Sequence, residues 1–174
     1  MGAHSVYYNI FYGIIEAIRR NMYRREFMEA AVCEARDGIR AGDGGPFGAV
    51  VVKDGEVVAS GHNCVLKDND STYHGEIDAI RKAEQKLQTY DLSGCEIYTT
   101  GEPCPMCLAA ILWANVEKVY YGCTLEDSDR IGFRDARFDK LLGGFVENLP
   151  ERFLENQDRE MCLEVFGEYG GVVY

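Results

Sequence analysis

The sequence predicts an α/β fold in a single domain, and three observations support this prediction. A chain of 174 residues is long enough to bury one core. Its composition, with 47% hydrophobic and 27% charged residues, is typical of globular proteins. Runs of β-branched residues alternate with segments of helical periodicity, and the order strand, helix, strand, helix, strand indicates a sheet with parallel strands and right-handed crossovers.

The charge and the cysteine count limit the classes of partner and compartment. The formal net charge of −11 repels polyanions, so nucleic acid is not an expected partner. Seven cysteines are an odd number, and two of them have metal-ligand spacing, which favours a reducing cytoplasm over a disulfide framework.

The first 21 residues are interpreted as an N-terminal extension, and residues 22–174 as the domain. Residues 6–18 are largely apolar, but Asn9 and Glu16 interrupt them and the run is too short to span a membrane. Arg19 and Arg20 follow the apolar run, whereas a secretory signal carries its charges before it. The extension is therefore interpreted as an extra helix, an expression remnant or an early-assigned start, with Met22 as a plausible true start. A role at a membrane surface is the alternative.

The first half of the domain predicts a helix followed by a β-hairpin. Residues 23–41 have helical spacing and end at Gly42, with Cys33 expected to be a small buried residue. The glycine-rich turn at 43–48 lacks the Lys and Ser/Thr of a phosphate loop, which excludes nucleotide phosphate binding there. Asp54-Gly55 between two β-branched runs predicts a hairpin.

The second half predicts two more helix–strand pairs and a closing helix. Helices are expected over about 74–87 and 104–114, with Pro103 in the first turn of the second, which should be buried on most sides. Strands are expected over 95–100 and 118–123, and a final helix around 161–166.

A metal site is predicted at the start of these two helices. His74, Cys104 and Cys107 offer one imidazole and two thiols, and cysteines three apart share a helix face. Three protein ligands leave a fourth position of a zinc ion for water, as in catalytic zinc sites. Glu76 lies beside the ion and is suited to carry protons. Helix N-termini favour the thiolate form of the ligands.

Several other residues have two possible roles. His62 is a competing ligand candidate without a partner at suitable spacing, and Asn63 is either a turn residue or a contact for a heterocycle edge. Trp113 is either a packing residue or a substrate contact. Asp135 is either a solvated charge or a partner for a substrate rich in N–H groups.

The chain resembles the cytidine deaminase superfamily, in the branch of bacterial guanine deaminases and related small nucleobase deaminases. His74-x-Glu76 followed by Pro-Cys-x-x-Cys at 103–107 is the signature of zinc nucleobase deaminases. Gly-Gly-Pro-Phe-Gly-Ala-Val at 44–50, Gly-His-Asn at 61–63 and Gly-Phe-Arg-Asp at 132–135 also fit that branch. The resemblance implies a three-layer α/β/α fold with a central mixed sheet of about five strands.

The resemblance also implies roles for individual residues. Zinc would be held by His74, Cys104 and Cys107, with Glu76 as the proton shuttle. A homodimer is implied, in which a swapped C-terminal segment can close the partner's site and make Tyr174 a lid residue. The residues implied to line the purine pocket are Asn63, the Gly75 backbone, Trp113 and Asp135, with Phe47 packing beneath it.

The expected reaction is hydrolytic deamination of guanine to xanthine and ammonia. Gly75 stands where this branch usually has alanine, and His-Gly-Glu also resembles fungal cytosine deaminases, so cytosine is an alternative substrate. A nucleoside (cytidine, adenosine or guanosine) and adenosine in tRNA are further alternatives. A function of another class, a non-catalytic zinc-stabilised binding module, would need a closed site with Cys64, Cys95 or Cys123 as the fourth ligand.

Overall fold

A computed structural model of the chain describes residues 22–143 and 149–174, and these residues form a three-layer α/β/α structure. Five strands make one sheet in the order β2-β1-β3-β4-β5. Strand β1 is antiparallel to β2 and β3, whereas β3, β4 and β5 are parallel. This confirms the predicted mixed sheet. The strands are β1 Gly48–Lys53, β2 Glu56–His62, β3 Cys95–Gly101, β4 Lys118–Cys123 and β5 Leu154–Asn156.

Seven helices are described around this sheet. The predicted extension over residues 1–21 lies outside the described residues. Among the described helices, none is long and apolar enough to cross a membrane. The helices are α1 Arg25–Ala41, α2 Val65–Asp68, α3 Gly75–Leu87, α4 Pro105–Trp113, α5 Leu125–Arg130, α6 Asp135–Leu142 and α7 Arg159–Glu168.

Each face of the sheet carries its own hydrophobic core, because successive strand residues point to opposite faces. Val51 and Ile97 pack with α3 and α4 on one face. Val50 and Tyr98 pack with α1 and α7 on the other. The third parallel strand, β5, extends the sheet beyond β4 and precedes α7. Helices α3 and α4 therefore lie side by side on one face, and their relative position is set by the strands between them.

Local sequence explains the helix end and the turn that were predicted. Gly42 ends α1 with a φ of 74°, a left-handed conformation that glycine adopts without steric cost. Asp54 and Gly55 have φ values of 52° and 79°, as a two-residue hairpin turn requires. Both predictions are confirmed.

Three predictions about packing and helix bounds are wrong. Cys33 is exposed, because it lies on the side of α1 away from the sheet. Helix α4 begins with Pro105 rather than Pro103, and Cys104 is its N-cap. Proline suits that first position because it has no N–H to leave unpaired. Helix α4 is also not buried on most sides, since Leu112 and Trp113 are exposed.

The half-buried carboxyl group of Glu96 on β3 provides a test of the fold at a distance from any site. The Tyr98 hydroxyl donates to Glu96 Oε2 at 3.2 Å, while Oε1 is buried without a hydrogen-bond partner among the described residues. Burial raises the pKa of Glu96 to about 7. Its ionised form therefore destabilises the folded chain increasingly from about pH 4.5, the ordinary value, up to pH 7.

We expect Glu96→Gln to raise the unfolding midpoint by roughly 2–4 °C at pH 8 and hardly at all at pH 4. The gain is small because solvent screens part of the charge of the half-buried carboxylate. Thermal unfolding followed by circular dichroism at both pH values measures this. Glu56→Gln removes an exposed carboxylate from β2 and should give no such difference. An equal gain at both pH values would show that the buried charge is not the cause.

Candidate metal centre and substrate pocket

Two helix N-termini meet at the carboxyl end of β3. His74 is the N-cap of α3 and Cys104 is the N-cap of α4, and both have extended backbone conformations. Cys107 lies in the first turn of α4, three residues beyond Cys104, so both sulfurs face the same side. Because α3 and α4 share one face of the sheet, their first turns bring the three side chains together. The predicted meeting of two helix tips is confirmed.

The distances between the donor atoms fit a tetrahedral zinc ion. His74 Nδ1 lies 3.6 Å from Cys104 Sγ and 3.5 Å from Cys107 Sγ. Zinc–nitrogen and zinc–sulfur bonds of ordinary length place such donors about 3.5 Å apart. No fourth His, Cys, Asp or Glu in the described part of the chain joins this group. The geometry therefore suits an open zinc site, and the alternative closed site with Cys64, Cys95 or Cys123 is wrong.

The two thiols share one negative charge before any metal binds. The hydrogen bond with Cys107 lowers the pKa of Cys104 to about 4, and His74 adds to this effect. Burial keeps the pKa of Cys107 well above its usual value. A thiolate at a helix N-terminus beside an imidazole is a soft, preformed ligand for zinc.

Glu76 is buried next to these ligands, in the first turn of α3. Burial raises the pKa of Glu76 to about 7, and the nearby Cys104 adds to the rise. Its side chain faces a small inner cavity that His74 and Cys104 also line. A carboxyl group that gains and loses its proton near neutral pH is suited to general acid–base catalysis.

Asn63 lines the same inner cavity with its amide group held in one orientation. Its Oδ1 accepts hydrogen bonds from the main-chain N–H of Gly45 at 3.3 Å and of Val65 at 3.2 Å. The Tyr174 hydroxyl donates to the same oxygen at 2.5 Å. Asn63 Nδ2 has no hydrogen-bond partner among the described residues, so the amide offers a donor to the cavity.

The loop before β1 forms the floor of this cavity. A side chain at position 75 would place its Cβ 2.8 Å from the Phe47 carbonyl oxygen, which explains why glycine follows His74. The Asn63 N–H also donates to that carbonyl at 2.8 Å. The Phe47 ring packs edge-on against Phe133 and Phe166, with centroids 4.9 and 5.2 Å apart. Phe47 therefore lines the inner cavity.

A larger outer cavity of about 520 Å³ opens beside the metal ligands. Tyr174 lines both this cavity and the inner cavity of about 20 Å³, and its ring packs edge-on against Phe133 with centroids 5.4 Å apart. Asp135, the first residue of α6, lines both cavities, and burial raises its pKa to about 6. The C-terminal residue thus lies in the site of its own subunit.

One predicted assignment needs correction, and one lining residue was missed. Trp113 is 86% exposed at the far end of α4 and lines neither cavity, so it is no pocket residue of its own subunit. Glu102 lines the inner cavity, and its Oε2 accepts a hydrogen bond from the Leu125 N–H at 3.1 Å. Glu102 lies directly before Pro103-Cys104 at the end of β3, and this position next to the ligand motif could have identified it from the sequence.

His62 belongs to a separate group with Asp43 and Cys64 rather than to the zinc ligands. Its Nδ1 lies 3.2 Å from Glu34 Oε2 and its Nε2 lies 2.9 Å from Asp43 Oδ2. Lys67 binds the same Asp43 oxygen at 3.0 Å. Ion pairs therefore already satisfy this group.

Comparison with known proteins agrees with the site geometry. Residues 22–123 match the family model described as the cytidine and deoxycytidylate deaminase zinc-binding region. The chain is 49% identical to guanine deaminase of Bacillus subtilis over 115 residues, which are 66% of this chain and 74% of that protein. It is 40% identical to tRNA-specific adenosine deaminase of Aquifex aeolicus over 100 residues, 58% of this chain and 66% of that protein.

The fold agrees with these sequence relationships. The X-ray structure of guanine deaminase from Bacillus subtilis superimposes with a TM-score of 0.67 at 38% identity, covering 88% of this chain and 99% of that one. The three-layer arrangement predicted from the sequence is therefore that of a solved deaminase.

We expect Cys107→Ala to reduce bound zinc from about one ion per chain to a small fraction, because it removes one of three ligands. Inductively coupled plasma mass spectrometry of the purified protein measures this. Cys95→Ala is the matched control, since Cys95 is also buried but lies at the start of β3 and outside the ligand group. Full zinc content in Cys107→Ala, or its loss in Cys95→Ala, would contradict the assignment.

Proposed function

The chain belongs to the cytidine and deoxycytidylate deaminase zinc-binding family, and we propose that this zinc-dependent aminohydrolase converts free guanine to xanthine and ammonia. The observation that carries the proposal is the set of polar groups around the inner cavity. One amide donor, Asn63 Nδ2, and three carboxyl groups, those of Glu76, Glu102 and Asp135, line this cavity. The 49% identity to a guanine deaminase supports the same substrate.

The residues of the chain divide the proposed chemistry between them. His74, Cys104 and Cys107 would hold the zinc ion, which lowers the pKa of a bound water toward roughly 7 when present. Glu76 would take one proton from the attacking water and give it to the ring nitrogen beside the amino-bearing carbon, as the water oxygen bonds to that carbon. Glu76 would then take the second proton from the same oxygen and give it to the amino group, which leaves as ammonia while the C=O bond forms. Its buried carboxyl group lies beside the metal ligands, where it can both accept and donate a proton.

The remaining polar groups would orient the base. Asn63 Nδ2 donates to an acceptor of the ring, and Asp135 accepts from an N–H edge. Guanine offers acceptors and N–H donors on the same ring system, so it can satisfy both contacts. Phe47 supports the floor, and the Gly75 backbone allows the close approach of α3 to it.

Tyr174 would act as a lid. Its hydroxyl donates a hydrogen bond to Asn63 Oδ1, and its ring packs on Phe133. The inner cavity is too small for a purine while the Tyr174 ring keeps this position. A substrate therefore enters when Tyr174 moves, and the tail closes over it afterwards. In the single chain the tail lines the site of its own subunit.

The alternative substrates are another free base, a nucleoside, and adenosine within tRNA. Cytosine, cytidine, adenosine and guanosine share the chemistry, and the relationship to a tRNA-specific adenosine deaminase raises tRNA as a further candidate. The net charge of −11 argues against a polyanionic substrate. Seven free cysteines, two of them zinc ligands, favour a cytoplasmic location.

Ammonia release from a panel of guanine, cytosine, adenine and their nucleosides tests the proposal. We expect guanine to give the highest kcat/KM, and Glu76→Gln to lower kcat roughly 10²- to 10⁴-fold while keeping full zinc content, because it removes the proton carrier but no ligand. Preference for another compound, or tight tRNA binding at physiological salt, would overturn the guanine assignment. Normal turnover by Glu76→Gln would remove Glu76 from the mechanism.

We also propose a homodimer formed through α4. Met106, Ala109, Ala110 and Trp113 lie at helical spacing along its outer side, and each is partly or fully exposed. A helix that is apolar all round normally requires cover on every side. The exposed apolar side chains of Phe138 and Leu141 on α6 line the outer cavity together with Met106, so the apolar surface continues from α4 to the site.

We expect the wild type to elute as a dimer and Trp113→Glu to elute as a monomer at micromolar concentration, because a charge would be placed within the apolar contact. Size-exclusion chromatography with light scattering measures the mass. Tyr90→Glu, at a residue that is 80% exposed outside this surface, should remain a dimer. A dimeric Trp113→Glu would place the interface elsewhere.

A further inference from the structure

We propose that the protonated side chain of His62 is a positioning residue for Asn63, so that base binding rather than turnover depends on it. The inference rests on the proposed function in one respect, since it takes Asn63 as a contact of the base. His62 neither reaches the zinc ligands nor lines either cavity. Its effect on the site must therefore pass through the backbone segments that it joins.

The His62 ring bridges two carboxylates from different segments. Glu34 on α1 faces Nδ1 at 3.2 Å, and Asp43, after the end of α1, faces Nε2 at 2.9 Å. A neutral imidazole has one N–H and can donate to only one of them, whereas the imidazolium donates to both. Only 17% of the His62 side chain is exposed, so water does not readily replace either carboxylate.

The two segments joined by His62 and Asp43 are those that orient the Asn63 amide. Gly45, two residues after Asp43, donates one main-chain hydrogen bond to Asn63 Oδ1, and Val65 donates the other. The Asp43 carbonyl oxygen accepts from the N–H groups of Leu66 and Lys67, both at 3.0 Å. The contact between His62 and Asp43 thus connects the two segments whose main-chain N–H groups bind Asn63 Oδ1, the loop at Gly45 and the start of α2 at Val65.

The surrounding charges balance when His62 is protonated. Glu34 comes from α1, Asp43 from the following loop and Lys67 from α2, with Lys67 bound to Asp43. From α3, Asp78 accepts the His62 main-chain N–H at 3.3 Å and binds Lys82 at 2.7 Å. The Cys64 thiol faces the His62 carbonyl at 3.5 Å and is neutral, since burial raises its pKa. Three acids then face three cations.

The pH dependence follows from the same contacts. The hydrogen bond with Glu34 raises the pKa of His62, burial opposes it, and Asp43 adds to the rise. A histidine whose pKa is raised on folding contributes its stabilisation below the ordinary value of 6.5 and loses it as the pH rises through the folded value. Above that pH one ring nitrogen of His62 has no proton to donate to the carboxylate that it faces. The two segments that hold the Asn63 amide are then less firmly connected.

The test uses the zinc-loaded full chain and two variants with the same change of charge on one helix. Glu34→Gln removes the acid that faces His62. Asp37→Asn removes an exposed acid that pairs with Arg40 three residues along the same helix. Steady-state ammonia release from guanine gives kcat and KM against pH, and comparing variants cancels the ionisation of the substrate. NMR follows the His62 ring, one of three histidines, and the Asn63 side-chain amide, assigned with His62→Gln and Asn63→Ala.

We expect the Asn63 amide signals to titrate with the same midpoint as His62 in the wild type. In Glu34→Gln the titration midpoint of His62 falls. At pH values above this lower midpoint, the KM for guanine rises roughly three- to tenfold over the wild type, while kcat and zinc content stay unchanged. Asp37→Asn should behave like the wild type. Asn63 signals that ignore the titration of His62, or a fall in kcat at constant KM, would overturn the proposal. If no base is deaminated, the proposed function is wrong. The shared or separate titration of the His62 and Asn63 signals still decides whether His62 positions Asn63.

Discussion

The arrangement depends on the convergence of two helix N-termini over the carboxyl end of β3. The ligands His74 and Cys104 are both N-caps, so backbone conformation alone brings them to the tip of each helix. The donor atoms lie 3.5–3.6 Å apart because α3 and α4 are held side by side on one core. The partial positive charge of helix N-termini offsets part of the cost of the buried thiolate and of Glu76.

Much of the fold and the metal centre could be predicted from the sequence because their signals are local. Cys104 and Cys107 share a helical turn, and Gly42 and Asp54-Gly55 mark a helix end and a hairpin by their own backbone preferences. Exposure was harder to predict because it depends on which neighbours cover a helix. Cys33 lies next to the buried Val32 but points about 100° away from it. Trp113 ends an apolar helix whose outer side is not covered by the described residues.

The residues proposed to contact the base could be predicted only in part, since their contacts span the chain. Tyr174 reaches Asn63 across 111 residues, which no local pattern reports. The His62–Asp43 contact and its link to Lys67 likewise depend on how a loop, a strand end and a short helix meet. In the sequence His62 was a competing ligand candidate without a partner at suitable spacing, whereas the carboxylates that face it come from α1 and the loop that follows it.

The metal ligands and Glu76 come from one continuous helix–strand–helix unit, residues 74–107, whereas Asn63, Asp135 and Tyr174 come from segments on either side of it. The proposed catalytic and recognition residues therefore lie in separate stretches of the sequence. We expect substitutions in the flanking stretches to alter which compound binds while leaving the metal ligands untouched, and such modularity fits a family whose members include a guanine deaminase and a tRNA-specific adenosine deaminase.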